Sequence, residues 1–205
     1  RKMAELVLLW LSAHLTEILG TILGLVYILL SVKQRIFTWP AGIISSILFV
    51  IVFFQARIYA NALLQFYYVG IGFYGWYYWL KGKRESPEGH LPVRRMSPSL
   101  GIKLGAILVP LTGTIYYILS EYTDSPVPLM DASTTALSIL ATWLMARKIL
   151  FNWIIWIIAD FAAAGLYIYR GLIPTSLLYL VYTVLAFYGY FEWKKSVEKT
   201  EYVRH

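Results

Sequence analysis

Seven apolar stretches, residues 14–32, 40–55, 59–79, 100–119, 132–146, 151–169 and 174–193, each reach or approach the roughly 20 residues that a helix needs to cross a bilayer. In hydrocarbon every backbone N–H and C=O must be satisfied within the protein, which restricts spanning structures to helices and closed barrels. Stretches of this length are helices. With 59% hydrophobic and 14% charged residues, the chain carries well under the roughly 25% charge of a soluble domain. The expected fold is therefore an all-α membrane protein with seven transmembrane helices in one domain, residues 1–205. Residues 4–12 either extend the first span or lie at the interface.

Polar, proline-bearing segments separate the spans: 81–99 with five basic residues, and 121–131 with Pro126 and Pro128. With seven spans, one side of the membrane receives only Arg1, Lys2, Arg57 and Arg170. The other side receives the remaining fourteen of the 18 Lys and Arg. The positive-inside rule then places the N-terminus outside and the C-terminus in the cytoplasm. The +7 net charge is thus a topology signal and does not point to nucleic acid.

Several chemistries are missing. The chain has no cysteine, and its three histidines, His14, His90 and His205, are far apart in sequence. No phosphate-binding G-x-x-x-x-G-K-[ST] is present, and neither is H-E-x-x-H or G-x-S-x-G. These absences predict no metal, no cofactor, no catalytic residue and no enzyme.

The chain repeats itself. A shift of 114 residues lays spans 1–3 on spans 5–7 without a gap, with fifteen identities over residues 17–81. Trp39 falls on Trp153, Tyr68 on Tyr182, Phe73-Tyr74-Gly75 on Phe187-Tyr188-Gly189, and Trp79 on Trp193. The organisation read from this is a first repeat at 14–81, a loop and linker helix at 82–122, a second repeat at 128–195 and a cytoplasmic tail at 196–205. Because three helices reverse the chain direction, the single linker restores it. The outcome is a 3+1+3 bundle of two parallel repeats, an arrangement found in transporters, SWEETs among them, with the site near the midplane.

The stretch 151–160 carries Asn152, Trp156 and Asp160 at steps of four, one stripe of a helix. A carboxylate near mid-membrane is expensive and marks a site or a path; the alternative is that Asp160 ties helices together. The repeat mates of the stripe, Thr38, Gly42 and Ser46, predict a small polar wall opposite. The third helix of each repeat adds Asn61, Gln65, Tyr68 and Gly72, or Thr175, Tyr179, Tyr182 and Ala186, on one face. Such walls suit a flat heteroaromatic ligand with hydroxyls, and an indole face attracts a cation.

Other residues have blander expectations. Trp79 and Trp193, beside lysines, read as interfacial belt residues. Trp153 reads as packing or ligand contact, and Trp39 as an interface anchor. Gly70, Gly72 and Gly75 read as sites of close helix packing, and Arg147-Lys148 as obeying the charge rule.

Taken together, Trp39-Pro40-Ala41-Gly42-Ile43-Ile44, the Tyr59…Gln65…Tyr-Gly-Trp-x-x-Trp run ending at Trp79, and Asn152-Trp153-x-x-Trp156-x-x-x-Asp160 resemble the PnuC family of vitamin transporters. Tyr179 and the Gly189…Trp193 ending extend the resemblance over residues 14–195. It implies facilitated diffusion of nicotinamide riboside across the bacterial inner membrane, trapping by a cytoplasmic kinase, and a homotrimer. It also implies a ligand site at Asn152, Trp153, Trp156 and Asp160, with Gln65 as amide partner. To these the stripes add Tyr68, Tyr179, Tyr182, Thr38 and Ser46. Relatives carry thiamine or riboflavin, and a SWEET-like sugar carrier is the remaining alternative.

Overall fold

A computed structural model describes residues 15–55, 59–85, 91–169, 171 and 173–203. The described residues form seven helices: α1 (Leu15–Val32), α2 (Thr38–Gln55), α3 (Tyr59–Glu85), α4 (Pro98–Tyr122), α5 (Pro128–Ala146), α6 (Asn152–Tyr169) and α7 (Ile173–Val203). Five of them, α1, α2, α4, α5 and α6, are long and apolar enough to span a membrane. The other two, α3 and α7, have 27 and 31 residues. They are rich in Tyr and Trp, which lower hydropathy without making a helix water-soluble.

Both helices run past the charged residues expected to end them. α3 continues through Lys81, Lys83 and Arg84 to Glu85, and α7 through the expected tail to Val203. Lys, Arg and Glu are good helix formers, so leaving the hydrocarbon does not require leaving the helix. Along α7, Glu192 pairs with Lys195 at 2.8 Å and Lys194 with Glu198 at 3.9 Å, the spacings that support an exposed helix.

Capping explains the ends of α4. Ser97 has extended backbone and its Oγ accepts from the Leu100 N–H at 3.3 Å, with Pro98 in the first turn. α4 buries none of its residues, the pattern of a helix bathed largely in lipid. α5 also begins with a proline, Pro128. Its Ala132, Ala136, Leu140, Ala141 and Leu144 are buried at helical spacing, and small residues there allow close approach.

The chain divides into two compact units at Lys81–Gly82. In the first, α1 packs on α2, and α2 meets α3 where Ile43 and Trp39 cover Gly72 and Gly75. In the second, α4 packs on α5, α5 on α6 and α6 on α7. Residues 91–97, ahead of α4, form an extended segment that pairs in parallel with the α5–α6 turn at Arg94 and Ile149.

Two turns at the 114-residue spacing share one backbone conformation. Gln34 and Lys148, 114 positions apart, have φ of 53° and 54°. Each follows a helix whose end is closed in the same way. Gln34 N donates to Ser31 O and Arg35 N to Leu30 O; Lys148 N donates to Met145 O and Ile149 N to Leu144 O, all at 2.9–3.0 Å. This is the Schellman closure, in which the left-handed position is usually glycine. The next helix then starts through Thr38 N→Arg35 O and Trp39 N→Ile36 O, matched by Asn152 N→Ile149 O and Trp153 N→Leu150 O.

Candidate functional site

Those two turns deliver Trp39 and Trp153 to equivalent places. Trp39 stands edge-on to Trp79, centroids 5.4 Å apart at 89°; Trp153 stands edge-on to Trp193 at 5.6 Å and 88°. Each indole lies against a glycine of the third helix, Gly75 or Gly189. All four tryptophans are at most 3% exposed. This corrects three expectations: Trp79 and Trp193 are not belt residues, and Trp39 is not an interface anchor. They are helix-packing rings, paired inside each repeat. Gly72 and Gly75 do permit close packing, whereas Gly70 faces open space.

α6 carries the candidate stripe. Asn152 is fully buried and Asp160 nearly so, with Trp156 half-buried between them. The Asn152 Nδ2 donates to Ile149 O at 2.8 Å, while its Oδ1 is buried and accepts no hydrogen bond. Buried polar atoms normally find a partner, so this carboxamide presents an open acceptor. Trp156 packs one side against the apolar cluster of Ala141, Leu144, Ile149 and Ile155 and leaves part of its ring uncovered. Asp160 makes no hydrogen bond or ion pair among the described residues.

The α7 wall is aromatic. Tyr179 lies 5.1 Å from Tyr167 and 5.7 Å from Tyr182, centroid to centroid. Tyr167 was not among the expected site residues. It follows Asp160 by seven positions, two helical turns, and that spacing is the sequence signal that would have found it. The structure thus gathers Asn152, Trp156, Asp160, Tyr179 and Tyr182 on the adjoining helices α6 and α7. Trp153 lies on the same helix with its ring committed to Gly189 and Trp193 and only its buried, unpartnered Nε1 left over.

The first unit holds the remaining expected residues. Thr38 is fully buried, its hydroxyl donating to Tyr27 O at 2.9 Å and sharing a hydrogen bond with Ser31. Ser46 is buried on α2. At Gly42, expected in the small polar wall, the Tyr27 ring lies 2.7 Å from where a methyl group would sit. Gln65 and Tyr68 are half-buried on α3, with Tyr68 against Tyr67 at 5.7 Å.

One residue was misjudged from sequence. Lys148 is 2% exposed, and its Nζ donates to Leu91 O at 2.7 Å. Burial pushes its ammonium down from the usual 10.5 to about 8. Its place in the α5–α6 turn is a tertiary contact, for which the sequence gives no signal. Among the described residues no group of three or more His, Asp or Glu could hold a metal.

Comparisons with known proteins bear on the family and the fold. A family model described as nicotinamide mononucleotide transporter matches residues 14–195. The nicotinamide riboside transporter PnuC of Escherichia coli (strain K12) is 28% identical over 207 residues, 89% of this chain and 86% of that protein. The riboflavin/roseoflavin transporter RibM of Streptomyces davaonensis is 26% identical over 184 residues, 87% and 84% of the two chains. The crystal structure of the vitamin B3 transporter PnuC superposes with a TM-score of 0.74, covering 97% of this chain and 88% of the other. At 22% identity it shows a shared fold.

Proposed function

This chain belongs to the nicotinamide mononucleotide transporter family, and on that footing we propose that its substrate is nicotinamide riboside, carried by facilitated diffusion. The observation that carries this reading is the α6 stripe. A buried carboxamide with an open acceptor, a half-covered indole and a mid-membrane carboxylate lie in line, beside a tyrosine wall. The riboside is a cationic pyridinium bearing a carboxamide and a ribose. The Asn152 Oδ1 accepts an N–H or O–H of the ligand, the Trp156 face takes the cation, and Asp160 accepts from ribose hydroxyls with Tyr179 and Tyr182 alongside.

Trp153 positions this stripe and offers at most its Nε1. Gln65, Tyr68, Thr38 and Ser46 belong to the first unit.

The protein works without a catalytic step or cofactor of its own, in the bacterial inner membrane, with the N-terminus outside and the C-terminus in the cytoplasm. A cytoplasmic kinase traps the riboside, so uptake needs no coupling to an ion gradient. A homotrimer is the proposed assembly. Riboflavin is the second reading, favoured by the likeness to RibM and by the same suitability of an aromatic wall for a flat ring with hydroxyls.

Uptake of labelled nicotinamide riboside into liposomes, with and without an imposed proton gradient, tests the proposal. Saturable uptake that ignores the gradient and is competed by unlabelled riboside, but not by riboflavin, thiamine or glucose, supports it. Competition by riboflavin alone would transfer the assignment to the second reading.

A further inference from the structure

The two repeat turns have the same backbone, and the second is tied to a neighbouring segment. Gln34 and Lys148 both adopt the left-handed conformation that a non-glycine residue rarely takes, so the backbone alone does not distinguish them. A neighbouring segment crosses the second turn. Arg94 N donates to Lys148 O and Leu150 N donates back to Arg94 O, both at 2.9 Å, while Lys148 Nζ reaches Leu91 O at 2.7 Å. Three hydrogen bonds therefore hold residues 91–94 against residues 148–150.

Those bonds flank the residue that holds the Asn152 side chain. Ile149, between the two clasped residues Lys148 and Leu150, supplies the carbonyl that receives the Asn152 Nδ2 at 2.8 Å. A carboxamide with one end anchored has its other end aimed, and here that end is the unpartnered Oδ1. If the Ile149 carbonyl turns, the acceptor turns with it. A burial as complete as that of Lys148 is costly for an ammonium unless it serves a partner, and its acceptor is the backbone of the segment joining α3 to α4.

We infer that Lys148 and the segment 91–97 form a clasp that aims the Asn152 carboxamide, which makes Lys148 a positioning residue for ligand recognition. This rests on the reading of Asn152 as a ligand contact. The clasp itself stands on geometry that involves no ligand.

Two readouts separate these layers. Amide hydrogen exchange over residues 149–153 reads the clasp without any ligand. It should speed up in Lys148→Met, which keeps the stem and loses the donor. It should also speed up in Arg94→Pro, which removes the backbone N–H that donates to Lys148 O, at a residue whose side chain is exposed. Unchanged exchange in both variants overturns the clasp.

Titration of nicotinamide riboside then reads the positioning. Lys148→Met should bind about fivefold more weakly or worse, the effect of one misdirected hydrogen bond, with Lys148→Arg recovering part of the loss. Introduced into Asn152→Ala, the same Lys148→Met change should cost nothing further. An equal, additive loss in that background shows that Lys148 acts through general stability and overturns the positioning role. If the unaltered protein binds no riboside at all, the proposed function fails, and the exchange experiment still decides the clasp.

Discussion

The Asn152 side chain donates to the Ile149 carbonyl at 2.8 Å, and that single bond leaves its Oδ1 buried without a donor. An unmet acceptor in the interior costs about 1–3 kcal/mol. Replacing Asn152 with Leu removes one hydrogen bond and that unmet atom together. Thermal unfolding of Asn152→Leu in detergent should therefore lie close to the unaltered protein, while riboside affinity falls about tenfold or more, the effect of a lost hydrogen bond with a cationic ligand. A variant that melts much earlier and binds normally would make Asn152 a structural residue.

Gly189 and Gly75 should not tolerate a methyl group. An added Cβ at 189 would come within 2.6 Å of the buried Trp153 indole, and one at 75 would press on Trp39. Both rings are fully buried, so neither can move aside cheaply. Gly189→Ala and Gly75→Ala should each lose about 1–3 kcal/mol of stability, the usual cost of overpacking. Gly165→Ala, which faces open space, should be neutral or stabilising by up to ~1 kcal/mol, since alanine is the better helix former. Melting temperatures of the three variants check this.

Trp153 and Trp156 should separate by what they damage. Trp153→Ala empties a fully buried position and should destabilise by about 3–5 kcal/mol. Trp156 is half-covered, so its loss should tell more on ligand binding than on melting. Equal melting losses for the two variants would remove the distinction.

The buried Lys148 should give stability a pH dependence of known sign. Its folded value of about 8 lies below the unfolded 10.5. Between those values the unfolded chain holds the extra proton, so stability rises as pH climbs through that window, and the penalty for burying the ammonium is fully present below it. Lys148→Met should lose this increment. An identical pH profile for the two proteins between pH 8 and 10.5 would contradict the burial.

Sequence reasoning reached the seven helices and the α6 stripe because hydrophobic length and helical spacing are local signals. The family is shown by the match over residues 14–195, the span over which the motifs already resembled it. The 114-residue register reached further than expected, down to the matching left-handed Gln34 and Lys148. Residues whose roles depend on a distant partner were not legible. Trp79 and Trp193 look like interfacial residues until Trp39 and Trp153 are seen edge-on to them. Lys148 looks like a topology charge until Leu91, 57 residues earlier, supplies its acceptor. The ends of α3 and α7 were placed too early because charge was read as a stop, although charged residues extend helices readily.

Calorimetric titration of nicotinamide riboside into the purified protein, beside Trp156→Ala, tests the α6 stripe as the ligand site most directly. The account predicts saturable binding to the unaltered protein and at least about a tenfold weaker affinity in a variant that still unfolds cooperatively, because a cation–π platform is lost. Equal affinity in the two proteins would contradict it.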